Sequence, residues 1–464
     1  MAAAALLRLH RIGDFATFLS DQGRDAIIIK RIVTFIHWPA IGPPSSVGQI
    51  YLGPFYYYLM APFLALFKLN PVGLAYGSAF LSLAGLITGY LIVKKFIDQN
   101  TAHLFLILAA FSQVNIQAAR FSWNPNPLAI FSFITLFFLF QFIKSNRPIF
   151  AFLFGFFFGC SFQLHHLSAL MAFTFLPFLI YQLFDSRDKL KIISRWLVAL
   201  LGFVLISSPL IIFDIRHGFL NSRNLFKLLT QNDVASHSNL ISKITQTVNY
   251  FFNFGLAVNI SQTLTTIIFV LIIISLLLVV RMRKVNAFLA IHWINFIFYL
   301  VLFSFVNGPR YPHYFGPVYF SFFLILAYVL SQITYRLMVC LFLAGYIFIN
   351  LVSLFSKPPA YQIQHAQKVA NFLAEKIGNR PFNIATWPVE LTEDNYLYFL
   401  ELKGLMPADR TKIEITQQLF VLCNQQPCRV LESPSWNISM FGPAKIDRIW
   451  TIDNVTIYKL IHAR

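Results

Sequence analysis

The sequence predicts a multi-span α-helical membrane protein of about 11 transmembrane helices, with a small C-terminal α/β domain outside the bilayer. Three observations carry that prediction. The 464 residues are 57% hydrophobic and 12% charged, with 53 phenylalanines, and the mean hydropathy is +0.65. Such a chain is too apolar for a soluble domain and is neither disordered, a coiled coil nor a disulfide-rich secreted scaffold. Charge is also unevenly placed. Residues 356–464 hold 12 Lys+Arg against 10 Asp+Glu, whereas residues 1–355 hold 24 against eight, and no glutamate precedes Glu375. Finally, apolar runs recur at lengths near the ~20 residues that cross ~30 Å of hydrocarbon. A membrane region over 1–355 and an extracytoplasmic α/β domain over 356–464 account for all three.

Spans are expected near 71–93, 101–119, 127–143, 148–164, 167–184, 194–213, 262–280, 286–305, 315–333 and 337–355. Between alternate spans lie short basic loops: Lys94/Lys95, Lys144/Arg147, Arg187/Lys189/Lys191/Arg195, Arg281/Arg283/Lys284 and Arg336. They hold 12 of the region's 24 basic residues, and the positive-inside rule puts them in the cytoplasm. The opposite side of the plasma (inner) membrane then receives 11–70, 120–126, the long loop 214–261, 306–314 and the C-terminal domain. Tyr51–Lys68 is read as a re-entrant or interfacial helix, helped by Pro54 and Pro62, because a full span there would turn every later basic loop outward. Met1–Leu7 would extend only about 10 Å at helical rise. It reads as the last turns of a first helix, truncated at its beginning, and not as a cleavable signal, since no basic n-region precedes it. No internal duplication is evident, which argues against a transporter built on inverted repeats.

The acids facing outward in this scheme are Asp14, Asp21, Asp25, Asp214 and Asp233. In Asp21-Gln-Gly-Arg-Asp25 a helical start places Asp25 one turn beyond Asp21, with Arg24 beside both. N-capping and an ion pair are the structural alternative. Ile41-Gly-Pro-Pro-Ser-Ser and Tyr51-Leu-Gly-Pro-Phe-Tyr-Tyr-Tyr58 specify a rigid turn and an interfacial tyrosine cluster. In Arg120-Phe-Ser-Trp-Asn-Pro-Asn126, Arg120, Trp123, Asn124 and Asn126 suit a phosphate or sugar hydroxyls. Helix capping with a snorkelling arginine suits the same residues equally. His165 and His166 fall at an outward turn, Arg216 and His217 open the long loop with Arg223 following, and Arg310 and His313 occupy the last outward turn. Each histidine alone reads as a hydrogen-bonded interfacial residue. Together, Arg120, Arg216, Arg223 and Arg310 on one face suit an anionic lipid headgroup, so the basic excess needs no nucleic-acid partner. No HExxH or Cys/His ligand spacing occurs, and no metal ligands are assigned.

The C-terminal domain is expected to open with an amphipathic helix over 361–377, its stripe made of Ile363, Ala366, Ala370, Leu373 and Ile377. Strands follow at 382–386, 418–423 and 455–461, with a helix at 394–402. It has no P-loop, GxGxxG or nucleophile elbow. Cys423 and Cys428 flank Asn-Gln-Gln-Pro, and an oxidising exterior allows them a disulfide.

Residues 1–355, taken in the order Asp21-Gln-Gly-Arg-Asp25, Gly42-Pro-Pro44, Tyr51-Leu-Gly-Pro-Phe-Tyr-Tyr-Tyr58 and Phe121-Ser-Trp-Asn-Pro-Asn126, resemble the membrane-embedded GT-C glycosyltransferases. The resemblance is to glycosyltransferase family 39, with its aminoarabinose-transferase and protein-O-mannosyltransferase-like members. It implies inverting transfer of a sugar from a polyprenyl-phosphate donor to a protein, lipid or glycan acceptor on the non-cytoplasmic face. In the family an aspartate of the first outward loop serves as catalytic base, a role that carries to Asp21. The family's adjacent Asp-Glu pair is Asp21-Gln22 here. That departure leaves open whether Asp25 shares or replaces the acidic function and whether a divalent metal is used; no other cofactor is implied. The alternatives are a lipid-linked oligosaccharide transferase or ligase, and a non-enzymatic transporter or flippase. A transporter would place charges near mid-membrane, whereas here they gather at span ends.

Overall fold

The computed structural model describes residues 1–464 except 46–49, 146, 231–238, 282–285, 389–391, 410, 411 and 464. Asp233, Arg283 and Lys284 therefore lie outside the described residues. The apolar runs form helices close to their expected bounds, among them Val72–Phe96, Leu128–Lys144, Pro148–Leu164, Lys189–Arg216, Ala287–Phe303 and Arg336–Phe355. Among the described residues, five helical segments are long and apolar enough to cross a membrane, and six shorter apolar helices of 10–17 residues accompany them. The Tyr51–Lys68 stretch contributes only the short helix Phe55–Leu66, with Pro62 inside it. Contacts divide the chain into a larger unit, Met1–His10, Trp38–Met60 and Tyr76–Pro358, and a smaller one, Arg11–His37, Ala61–Ala75 and Pro359–Arg464.

In the larger unit, helices Pro148–Leu164 and Lys189–Arg216 touch backbone to backbone. A Cβ on Gly155 would lie 1.7 Å from the Ala199 carbonyl oxygen, and one on Gly202 2.2 Å from that of Phe152. In lipid, where apolar burial drives little association, such close approach is what holds helices together. The expected span 101–119 is broken at Ser112 into Gln99–Phe111 and Gln113–Ala118. Buried Asn350 mends the break: its Oδ1 accepts the Gln113 N–H at 2.7 Å, and its Nδ2 donates to the Tyr346 carbonyl at 2.9 Å. Broken helices survive at membrane depth only with such replacement partners. The segment expected as a long loop, 214–261, instead contains helices Leu220–Thr230 and Leu240–Leu256. The second turns Val248, Phe251 and Phe252 into the aromatic core. Its Asn, Gln and Thr residues lower hydropathy enough to hide a 3.6-residue apolar stripe.

The smaller unit contains a four-stranded sheet of β1 (Asn383–Trp387), β2 (Leu419–Cys423), β3 (Ala444–Ile452) and β4 (Val455–His462), ordered β1-β2-β4-β3. β1 and β2 are parallel, with Ala385 opposite Val421, and the other pairs are antiparallel. Helix Asp394–Leu402 lies between β1 and β2 in sequence, and helix Gln362–Ile377 buries the predicted stripe. Strand β3 was not expected, because this edge strand is largely exposed and carries Lys445, Asp447 and Arg448. Cys423 and Cys428 are joined in a disulfide.

Candidate functional site

The acidic segment belongs to the smaller unit. It opens helix Ser20–Val33, where Gln22 Oε1 accepts the Leu19 N–H at 3.1 Å. Asp21 in the first turn faces the positive end of the helix dipole. Arg24 reaches back with Nη1 to Asp21 Oδ1 at 2.9 Å and sideways with Nε and Nη2 to Asp25 Oδ1 at 3.0 and 2.9 Å. The two carboxylates differ in access: the Asp25 side chain is 1% exposed and that of Asp21 49%. The expected ion pair is thus present, and it leaves Asp21 open to solvent beside a fixed guanidinium. Asp14 pairs with Arg11 at 2.8 Å.

In the larger unit, the Gly-Pro-Pro and Tyr-Leu-Gly-Pro segments are two sides of one hairpin. Gly42 N–H donates to the Leu52 carbonyl at 2.7 Å and Leu52 N–H to that of Pro43 at 3.0 Å. A Cβ on Gly53 would lie 2.1 Å from Gln163 Oε1. That space lets buried Gln163 accept the Phe55 N–H at 3.3 Å while donating to the Ile206 carbonyl at 2.8 Å. Asn221 clamps the hairpin from the other side through both the N–H and the carbonyl of Tyr51, each at 2.9 Å. Asp214 is fully engaged in starting the next helix, accepting from the N–H groups of Asn221 and Ser222 and from the Ser222 hydroxyl.

Four predicted residues converge as a ladder of rings. Trp123 meets His313 at 4.5 Å between centroids, His313 lies 5.8 Å from His165, and His165 stacks on His166 at 4.7 Å. At one end is a pocket of about 250 Å³ lined by Trp123, Asn126, His313, Gln117 and Tyr319. At the other is one of about 120 Å³ lined by His166, Tyr51, Ser207 and Asp214. His165 Nδ1 accepts the Leu167 N–H at 3.2 Å. His166 Nδ1 and the Ser207 hydroxyl are buried without a hydrogen-bond partner among the described residues.

The remaining predicted residues have more structural surroundings. Arg120 donates from Nη2 to the His10 carbonyl at 2.9 Å and from Nη1 to that of Leu7 at 3.4 Å, closing the end of helix Ala2–Leu9. Burial pulls its pKa below the ordinary arginine value. Asn124 donates to the Leu164 carbonyl and Asn126 to that of Phe121, both at 2.8 Å. Arg310 lies 4.5 Å over the Phe303 ring and donates to Thr247 Oγ1 at 3.3 Å, and burial lowers its pKa too. Arg216 and His217 are exposed, the His217 ring stacking on Phe213 at 4.1 Å. Among the described residues, no group of three or more His, Cys, Asp or Glu is arranged to hold a metal ion. Gln117, Ser207, Tyr311 and Tyr319 escaped the sequence reading. Gln117, Ser207 and Tyr319 sit within apolar helices or beside a helix break with no local motif, and Tyr311, stacked on His313 at 5.8 Å, lies between Arg310 and Pro312 in the last outward turn.

A family model described as dolichyl-phosphate-mannose-protein mannosyltransferase matches residues 52–212. The crystal structure of ArnT from Cupriavidus metallidurans bound to undecaprenyl phosphate matches at a TM-score of 0.64, covering 99% of this chain and 96% of that one at 13% identity. The fold is that of the GT-C glycosyltransferases. The apo state of the same ArnT matches at 0.64 and 12% identity, with the same coverage. The apo oligosaccharyltransferase of Archaeoglobus fulgidus matches at 0.50 and 12% identity, over 88% of this chain and 63% of that one. Comparison with curated protein sequences finds no match. The matched segment 52–212 includes the Leu52 side of the hairpin, the Arg120–Asn126 turn and His165/His166, and so three members of the ring ladder, Trp123, His165 and His166, whereas His313 lies outside it.

Proposed function

We propose that this protein is an inverting glycosyltransferase that moves a sugar from a polyprenyl-phosphate donor to an acceptor hydroxyl on the non-cytoplasmic face. The observation that carries the reading is the pairing, on a GT-C fold, of an accessible carboxylate with a fixed cation at the start of helix Ser20–Val33. Asp21 is the general base. The acceptor oxygen attacks the anomeric carbon, its proton passes to the Asp21 carboxylate, and the anomeric carbon–phosphate oxygen bond breaks to release the lipid phosphate. Asp25, buried, holds Arg24 in place. A lipid-phosphate donor is supported by the undecaprenyl phosphate in the matched ArnT and by the donor named in the family description. The short basic loops and the Cys423–Cys428 disulfide support the outward placement.

Within the larger unit, the pocket at Trp123 and His313 suits a sugar ring. At about 250 Å³ it has room for one. Its aromatic walls suit the apolar face of a sugar while Gln117 and Asn126 meet hydroxyls. Purified protein incubated with radiolabelled polyprenyl-phosphate hexoses and pentoses, with release of lipid phosphate followed, tests the activity. Asp21→Asn is expected to lower turnover by about 10²–10⁴-fold with expression and monodispersity unchanged. A variant that turns over at the parent rate would refute the assignment.

A further inference from the structure

Within the smaller unit, residues of the C-terminal segment grip helix Ser20–Val33 along its length. At its start, the Phe18 N–H donates to Gln362 Oε1 at 2.8 Å, and Ser20 Oγ accepts the Thr392 N–H at 2.9 Å. One turn on, Gly23 lies directly on helix Asp394–Leu402: a Cβ there would be 2.2 Å from the Asn395 nitrogen. Two turns further, Glu401 takes two cations, with Oε2 on Lys30 Nζ at 2.6 Å and Oε1 on Arg31 Nη2 at 3.0 Å. The Lys30 and Glu401 side chains are only 8% and 6% exposed.

The Gly23–Asn395 and Lys30–Glu401 contacts follow the same order along both helices, so the two helices run parallel. On helix Ser20–Val33 the contacts are about 10 Å apart at helical rise. Two fixed points on a rod remove its sliding and its rotation. The second point is the stricter one, because both oxygens of one carboxylate must meet two consecutive side chains. A slip by one residue would turn the helix by about 100° and carry Asp21 to another face.

We infer that Glu401 is a positioning residue for Asp21: the C-terminal domain sets the register and azimuth of the helix that carries the general base. This rests on the reading of Asp21 given above. The Lys30–Glu401 pair is buried away from the acidic end, so it acts through the helix and touches no reacting atom. A non-directional apolar contact would hold the two helices together without fixing their rotation, which separates positioning from simple stability.

The experiment compares full-length parent, Glu401→Asp, the double variant Lys30→Met/Glu401→Leu, and Asp21→Asn in detergent. Each is measured for melting temperature, for kcat and KM with polyprenyl-phosphate sugar, and for hydrogen exchange. Replacing a buried ion pair by apolar residues of similar size is commonly neutral or stabilising, so the double variant is expected to melt at or above the parent temperature. Its kcat is nevertheless expected to fall about 10–100-fold, the scale of a misplaced reacting group, with donor KM within about twofold. Glu401→Asp, too short to reach both cations, is expected to fall in the same direction. Amides of Ser20–Val33 should exchange faster in both, with β2 and β4 unchanged. Turnover of either variant within about twofold of the parent, while Asp21→Asn is inactive, overturns the inference and leaves the general base standing. Full turnover in Asp21→Asn removes the base assignment itself.

Discussion

Gly23→Ala sets two effects of opposite sign against each other. Alanine is the better helix former by about 1 kcal/mol, so on propensity alone the variant would stabilise helix Ser20–Val33. The new methyl group, however, would sit 2.2 Å from the Asn395 nitrogen and 2.4 Å from the Asp394 carbonyl carbon. Overpacking of a filled interior costs about 1–3 kcal/mol, and the upper part of that range applies because the obstacle is backbone and cannot rotate away. The net expectation is a loss of about 2 kcal/mol in the docking of this helix on Asp394–Leu402. At 1.4 kcal/mol per decade that is about a 30-fold rise in opening. Hydrogen exchange of amides in both helices, read against β2 and β4 as an internal reference, measures it. Slower exchange in Gly23→Ala, or a raised melting temperature, would show that propensity outweighs contact and that the two backbones do not approach this closely.

Asn350→Leu keeps the branched shape at the Ser112 break but removes the acceptor of the Gln113 N–H; an unpaired buried donor costs about 1–3 kcal/mol, and the melting temperature in detergent should fall accordingly. At the far end of the smaller unit, Lys368 and His365 hold the Asp453 carboxylate below its ordinary pKa. A depressed folded value stabilises above the unfolded value of about 3.9 and is lost as pH falls through the folded one. Asp453→Asn should therefore flatten the acid side of the stability profile below about pH 4 and leave the profile near pH 7–9 parallel to the parent's, as thermal melts across that range would show.

Most of the fold was legible because a membrane makes length and hydropathy nearly sufficient. Pro148–Leu164 and Arg336–Phe355 lie within a residue of their expected bounds, and helix Asp394–Leu402 coincides with its own. What stayed hidden depended on partners distant in sequence. The break at Ser112 needs Asn350 from another helix, and nothing near residue 112 announces it. Helix Leu240–Leu256 looked like a loop because its polar face dilutes its hydropathy. At the candidate site, residue chemistry named segments but not the contacts each side chain makes. Arg120 suits a phosphate clamp or a cap by its chemistry, and its hydrogen bonds to the Leu7 and His10 carbonyls depend on residues more than 100 positions away. His165, His166 and His313 were separate turns in the sequence, and their convergence on Trp123 is a property of packing alone.

The acidic segment changes how the C-terminal domain is understood. Charge composition divides the chain near residue 355, because solvation and lipid exposure act on composition. Contacts draw another line, placing Arg11–His37 and Ala61–Ala75 with Pro359–Arg464. The reason lies in side chains that composition cannot see. Helix Ser20–Val33 buries Asp25, Ala26, Ile29, Lys30 and Ile32, and a helix that buries ionised groups needs partners able to answer them. Glu401 answers Lys30 and Arg31, the backbone at Asn395 requires Gly23, and the Tyr398 hydroxyl donates to the Leu69 carbonyl at 2.6 Å. Each contact pairs a residue early in the chain with one more than 300 positions later. Helix Ser20–Val33 is thus built jointly by the first and last parts of the sequence, and without the last part Lys30 and Arg31 would lose their shared counter-ion.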